Sequence, residues 1–348
     1  MNQDNGGIIG KINTPTTNVA SGVWTLDSQF EAQSSSIWPL AFPQTTFTNS
    51  CRFDDGSSDN LTKTFSTDGT SHDIGTVSVW LKRSTLGAEQ AIFTAGSTNR
   101  NFIRFESGDT LTFRSVADSF QLTTTQVFRD SSAWYHIVIA YDTTQSTSSD
   151  RVKFYVNGTQ VTDFGTETYP AQNLDIKLGA AELNAIGKDS EQTTPYYDGY
   201  MAEFIYIDGQ QLTPTSFGVT NTISNIWEPR AYAGTYGTNG FKLNFSDSSA
   251  LGDDTSGNTN DFTANNLTSI DQATDTPSNN FATLNPLDVS RLSSDGTTFS
   301  NGNLSVTDGS SNNLVASGTI SVTKGKWYFE TKIDATASST VSGVGIAD

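Results

Sequence analysis

The chain is predicted to be all-β, built on an antiparallel β-sandwich, and three observations carry that prediction. Tyr135, Ile137, Ile139 and Tyr141 alternate onto one face of an extended run, and Val152, Phe154 and Val156 do so in the next. Period-two alternation is what a strand with unequal faces requires. Between these runs and Thr159–Val161 stands Asn157-Gly158, the pair that supplies the positive backbone angles of a type I′ turn, so a hairpin is expected there. Finally, only 34% of the 348 residues are hydrophobic, and Ser, Thr, Asn, Asp and Gly fill much of the remainder. That composition suits short strands joined by polar turns, and no long helical period is present.

Taken in order, residues 1–45 form a Gly- and Pro-punctuated segment carrying Trp24, Phe30 and Trp38. Its apolar load is heavy for a stretch too short to make a core. It either packs on the next domain or docks onto another protein, and docking is the favoured reading. Residues 46–224 are a procession of strands: Thr76–Lys82, Gln90–Ala95, Phe102–Glu106, Leu111–Ser115, Trp134–Asp142, Arg151–Asn157, Leu174–Leu178 and Gly199–Asp208. Asp208-Gly209 closes the last, and Thr213-Pro214 opens a very short helix. Residues 225–288 read as a connecting region containing one strand, Gly240–Phe245, and an Asp-, Ser- and Asn-rich stretch, 247–261, that reads as a flexible connector. A second, incomplete β-sandwich begins near Val289, with Lys326–Ile333 its clearest strand. A sheet left open exposes a bare edge, so the sequence suggests a fragment of a longer polypeptide or completion by another subunit.

A formal charge of −18 with 19 basic residues argues against nucleic acid as a partner, because phosphate binding needs a basic face. Cys51 is the sole cysteine, so no disulfide framework or cysteine metal site is expected. Neither a secretory signal nor an apolar run of about 20 residues is visible, and membrane insertion is not expected.

Val77–Arg83, Ser132–His136, Val152–Gly158 and Asp198–Gly209, in that order and spacing, resemble the laminin-G-like domains of the concanavalin A-like lectin/glucanase superfamily. The resemblance implies a jelly-roll sandwich over about residues 50–220. More narrowly, Cys51–Gly56, Val127–Asp130, Gly237–Gly240 and Leu251–Asp261 around that module resemble tailed-phage virion proteins. So do Ser21–Asp27 and Trp38-Pro39 near the start. Gly325–Glu330 and Gly343–Ala347 are similar to the opening strands of a SPRY domain. The resemblance implies a tail fibre or other virion appendage, assembled in the host cytoplasm, with other virion proteins as partners through residues 1–45. A host-surface glycan or receptor, and further copies of the chain, would complete the partners. An architectural role without sugar binding, or a polysaccharide depolymerase, remain the alternatives, since fold alone does not choose among them.

Glycoside hydrolysis needs two carboxylates roughly 5–10 Å apart. The glucanase branch carries them as Glu-x-Asp-x-x-Glu, and no glutamate here starts that pattern, so no catalytic residue is assigned. Glu203 is read as belonging to a solvated strand face. His136 is read as a packed, hydrogen-bonded side chain and His72 as a turn residue. For binding, Tyr196, Tyr197 and Asp198 would offer aromatic faces and a hydroxyl acceptor to a sugar, unless a tyrosine packs under the sandwich and Asp198-Gly199 merely turns. Asp54 and Asp55 would supply hard oxygen ligands to Ca²⁺ near the sandwich rim, as in some laminin-G relatives, or form a solvated turn.

Overall fold

The computed structural model describes residues 46–221, 224–288, 298–307, 316–322 and 328–333. The 1–45 segment, with Trp24, Phe30 and Trp38, lies outside them, as does most of the SPRY-like stretch including Gly343–Ala347.

The protein is an antiparallel sandwich, and among the described residues each of its sheets has eight strands. The first sheet runs β10 (Thr159–Gln160), β9 (Val152–Val156), β8 (Tyr135–Asp142), β3 (Ile74–Arg83), β13 (Gly199–Asp208), β1 (Ser50–Phe53), β18 (Gln272–Ala273), with β16 (Phe241–Leu243) also paired to β13. The second runs β11 (Phe164–Thr168), β7 (Gln121–Val127), β6 (Thr110–Ser115), β5 (Asn101–Phe105), β4 (Gln90–Ala95), β12 (Leu183–Ile186), β2 (Asn60–Thr64), β17 (Thr263–Asn265). Two short pairs stand apart, β14 (Gly218–Thr220) with β15 (Trp227–Pro229), and β19 (Thr298–Ser300) with β20 (Ser305–Thr307).

The core between the sheets holds the residues that the alternation singled out. Ile137, Ile139, Tyr141, Val152, Phe154 and Val156 all lie in it, beside Phe93, Phe105, Phe113 and Phe204. The turn at Asn157-Gly158 has φ of 47° and 80°, positive at both positions as a type I′ turn demands.

Four expectations need correction. Leu174–Leu178 is not a strand; Ile176 and Leu178 are buried as loop side chains, with Ile176 N–H donating to the His72 carbonyl at 3.0 Å. The stretch 225–288, read as a connector, instead supplies β16, β17 and β18 to the sandwich. Its acidic loop is ordered by Asp254, whose carboxylate accepts from the N–H groups of Lys242, Ser256 and Asn260 at 2.8–2.9 Å. Last, 328–333 carries no strand.

The first sheet is covered on both sides. Trp80, Tyr200 and Ala202 pack on its outer face with Phe47, Trp134 and Trp227, and Val138, Ile205 and Ile207 pack there with Phe217, Tyr232 and Tyr236. Segment 275–281 is fastened to that face through Lys82, itself buried. Its ammonium donates to Asp275 Oδ2 at 2.9 Å, Asn280 Oδ1 at 2.9 Å and the Phe281 carbonyl at 2.8 Å. The Trp134 indole N–H donates to the other Asp275 oxygen at 3.0 Å. A buried cation is tolerable only with its donors satisfied in this way.

Candidate functional site

Two places on the sandwich bring chemistry-bearing residues together. The first is built on the outer face of the first sheet. Trp80 of β3 and His136 of β8 are cross-strand partners, and their rings stack with centroids 4.6 Å apart and planes 19° apart. Trp227 of β15 stacks on the same imidazole at 6.0 Å and donates its indole N–H to His136 Nδ1 at 3.0 Å. Because Nδ1 accepts, the proton sits on Nε2, which faces Ser78 Oγ at 2.9 Å. Burial pushes the imidazole down to about 3, so it stays neutral. His136 is thus the packed, hydrogen-bonded residue that the sequence suggested.

Trp227 can lie this close only because two glycines make room. A Cβ at Gly158 would fall 2.5 Å from the indole, and one at Gly218 would fall 2.3 Å from it. The type I′ turn and the docking of Trp227 therefore share one residue. Beside the indole opens a groove of about 430 Å³ lined by Trp80, Trp134 and Trp227, with Asn157, Thr159, Thr220 and Asn225 at its polar rim and Ile226 exposed at its edge. The hairpin of β9 and β10 separates it from a second hollow of about 370 Å³, lined among others by Thr125, Gln160, Thr162 and Asp163. Aromatic walls with amide and hydroxyl groups at the rim suit a ligand with one apolar and one polar side.

The second place follows from strand register. β1 pairs with β13 so that Phe53 opposes Gly199, which sets Asp54 beside Asp198 at the end of that ladder. Gly199 is required there: φ is 143°, and a Cβ would fall 2.2 Å from the Lys82 carbonyl. One carboxylate oxygen from each of Asp54, Asp55 and Asp198 lies within 4.8 Å of the others. Asp198 is only 4% exposed; its Oδ2 accepts from the Thr85 hydroxyl, and its Oδ1 has no hydrogen-bond partner. Burial pushes this carboxyl up to about 7, with Asp55 and Asp54 adding to the rise against the Thr85 hydrogen bond. Burial and then Asp54 also raise Asp55.

The sequence-based assignments are redistributed accordingly. Tyr197 cannot face a sugar: it is fully buried, packs edge-on against Phe53 at 6.2 Å and donates its hydroxyl to the Lys82 carbonyl at 3.1 Å. Tyr196 is half-buried in an isolated bridge with Lys188. Asp198 points instead to Asp54 and Asp55. Glu203 does not lie on a solvated face either. It occupies a bulge in β13 with φ of 46°, is buried, and pairs with Lys242 at 3.0 Å. Trp227 went unnoticed because nothing local marks it; its contacts reach 91 residues back along the chain.

Residues 55–214 match the family model of the concanavalin A-like lectin/glucanases superfamily, in its laminin-G-like branch. No curated protein matches the chain. Among solved structures, a protein from Bacteroides ovatus ATCC 8483, provisionally described as carbohydrate binding, is 16% identical. That likeness has a TM-score of 0.43 and covers 64% of this chain and 59% of the Bacteroides one. A heptameric SAP-like pentraxin from Limulus polyphemus is 19% identical with a TM-score of 0.34, covering 49% of this chain and 76% of its own. Domains LG4-5 of the mouse laminin α1 chain give 12% identity and a TM-score of 0.33, covering 57% and 52%. The matched segment spans the motifs quoted from β3, β8, β9 and β13, and those strands form the centre of the first sheet. The fold is thus a concanavalin A-like β-sandwich, and the match to the laminin-G-like family model covers residues 55–214 of it.

Proposed function

We propose that this chain is a structural protein of a tailed-phage virion, a tail fibre or another appendage, whose sandwich attaches to the host surface by holding glycan without cleaving it. The observation that carries the binding part is the groove walled by Trp80, Trp134 and Trp227 and rimmed by Asn157, Thr159, Thr220 and Asn225. Sugar rings present an apolar face to an indole and a belt of hydroxyls to amides and hydroxyls; the groove offers the half-buried Trp227, with Trp80 and Trp134 buried behind it, and a rim of amides and hydroxyls. The virion part is supported by the sequence motifs flanking the module. Residues 1–45 would hold the protein in the particle, and several copies would make individually weak sites hold a cell. The non-catalytic part is supported by the two acids of β13 being committed: Glu203 pairs with Lys242, and Asp208 accepts from the N–H groups of Thr70, Ser71 and Asn239. Ile226, 59% exposed beside the groove, favours a second reading in which this face contacts a neighbouring virion protein.

Binding of the purified protein to host cells, before and after periodate oxidation of surface sugars, tests the proposal. Binding lost on oxidation, with no reducing ends released over hours, supports glycan attachment. Binding indifferent to oxidation supports the protein-contact reading, and release of reducing ends overturns the non-catalytic one.

A further inference from the structure

We infer that the ligand of the tryptophan groove is a neutral oligosaccharide of two or more linked rings, which crosses the β9–β10 hairpin and fills the hollow on its far side. This inference rests on the glycan reading of the groove and adds the size and charge of what is held. Asn157 and Thr159 line the groove beside Trp227, and the same two residues line the second hollow. Both are exposed, so the hairpin forms a saddle between the hollows. Asn157 Oδ1 accepts from the His136 N–H at 2.8 Å, which leaves its Nδ2 without a partner among the described residues. The two spaces, of about 430 and 370 Å³, each lie near the lower end of the roughly 300–1,000 Å³ typical of small-ligand sites. Either alone is a small site, and a linked chain occupies both. Joining two weak contacts in one molecule raises affinity well beyond either.

The far hollow lies where the chain passes from β10, at an edge of the first sheet, to β11, at an edge of the second. Asp163 in that passage is tied to β7. Thr125 donates its hydroxyl to Asp163 Oδ2 at 2.8 Å and its N–H to the Asp163 carbonyl at 3.4 Å. Asp163 Oδ1 is left to accept, and the exposed side chains of Gln126, Gln160 and Thr162 line the same hollow. No aromatic ring lines it; Val156 and Val161 are its apolar part. It therefore suits a ring held by its hydroxyls, in contrast to the ring stacked on Trp227. Charge sets the class. No lysine or arginine lines either hollow, and Asp163 is the one charged side chain in their lining. The whole chain carries a formal charge of −18. A sugar acid or phosphorylated sugar would bring an anion to a place with no cation to pair it. A neutral ring brings hydroxyls that donate to Asp163 and to the amide oxygens.

The test uses fragments of host-surface polysaccharide made by mild acid hydrolysis, sorted by length and split by ion exchange into neutral and acidic pools. Each pool is titrated into the full-length protein and followed by tryptophan fluorescence. Neutral fragments of two or more rings are expected to bind at least about tenfold more tightly than single rings. Acidic fragments of equal length should bind at least about tenfold more weakly than neutral ones. Thr162→Lys, at an exposed position that lines the far hollow and not the groove, should erase the gain with length. It should leave single-ring binding and the melt unchanged. Single rings bound with no gain from length, or a gain that survives both Thr162→Lys and Gln160→Ala, overturns the bridging while the groove keeps its glycan. Acidic fragments bound as tightly as neutral ones overturn the assignment of charge. No binding from either pool overturns the glycan reading itself, and this inference falls with it.

Discussion

The two sheets use the same strand chemistry for opposite purposes. The second sheet keeps a polar outer face, where Thr94, Phe102, Arg114 and Gln121 lie in register across β4 to β7. A large apolar side chain there, Phe102, is roofed by the guanidinium groups of Arg104 at 4.5 Å and Arg114 at 6.0 Å. The corresponding face of the first sheet carries Trp80, Val138, Ile205 and Ile207, and the chain folds back over it with Phe217, Trp227, Tyr232 and the 275–281 segment. One sheet ends at water; the other supports a third layer. The groove lies where that layer stops at Trp227, whose half-buried indole stands at the border between covered and open surface, with Trp80 and Trp134 buried behind it. The proposed binding groove thus sits where a buried face runs out.

Substitutions can break the contrast. The largest effect is expected at Lys82, the buried cation that fastens the third layer. Lys82→Met strands Asp275 and should cost about 3–5 kcal/mol in chemical denaturation, whereas Arg114→Gln on the open sheet should cost under about 1 kcal/mol. Equal costs would mean that the third layer contributes little to stability. Next comes pH. His136 has a folded pKa near 3 against an ordinary value of 6.5, through burial. Between those values the unfolded chain takes up a proton that the folded one refuses. Stability is therefore full above about pH 6.5 and falls toward pH 3, by at most about 1.4 kcal/mol per unit. Nuclear magnetic resonance of the imidazole carbons checks this: a midpoint near 6.5 for His136 would contradict its burial beneath Trp227. A smaller loss, about 1–2 kcal/mol, is expected from Gly158→Ala, which puts a side chain at positive φ and against the indole. Its melt should be accompanied by a changed tryptophan fluorescence.

Much of the sandwich was legible in the sequence because its signals are local. The alternation in β8 and β9, the Asn157-Gly158 turn and the closure of β13 at Asp208-Gly209 each need only a few neighbouring residues. β13 itself shows where local reading fails: all ten of its residues are buried, so alternation could not assign Glu203 to a side. The bulge that turns Glu203 toward Lys242 is set by pairing with β3 and β16. The sites were legible only in part. Asp54, Asp55 and Asp198 were each noticed, but as two unrelated features. Their meeting depends on the register of β1 against β13, more than 140 residues apart. Tyr197 takes the alternative that the sequence left open, packing under the sandwich against Phe53, a contact no local pattern selects. Trp227 left no local trace at all.

The central claim is that the Trp80–Trp134–Trp227 groove holds glycan. Its most direct test is calorimetric titration of host-surface oligosaccharide into the wild type and into Thr159→Lys. That substitution lies at an exposed position on the rim and leaves the packing of the indoles untouched. The account predicts saturable binding by the wild type and at least a tenfold loss in Thr159→Lys with an unchanged melt. Equal affinity in the two proteins would contradict it.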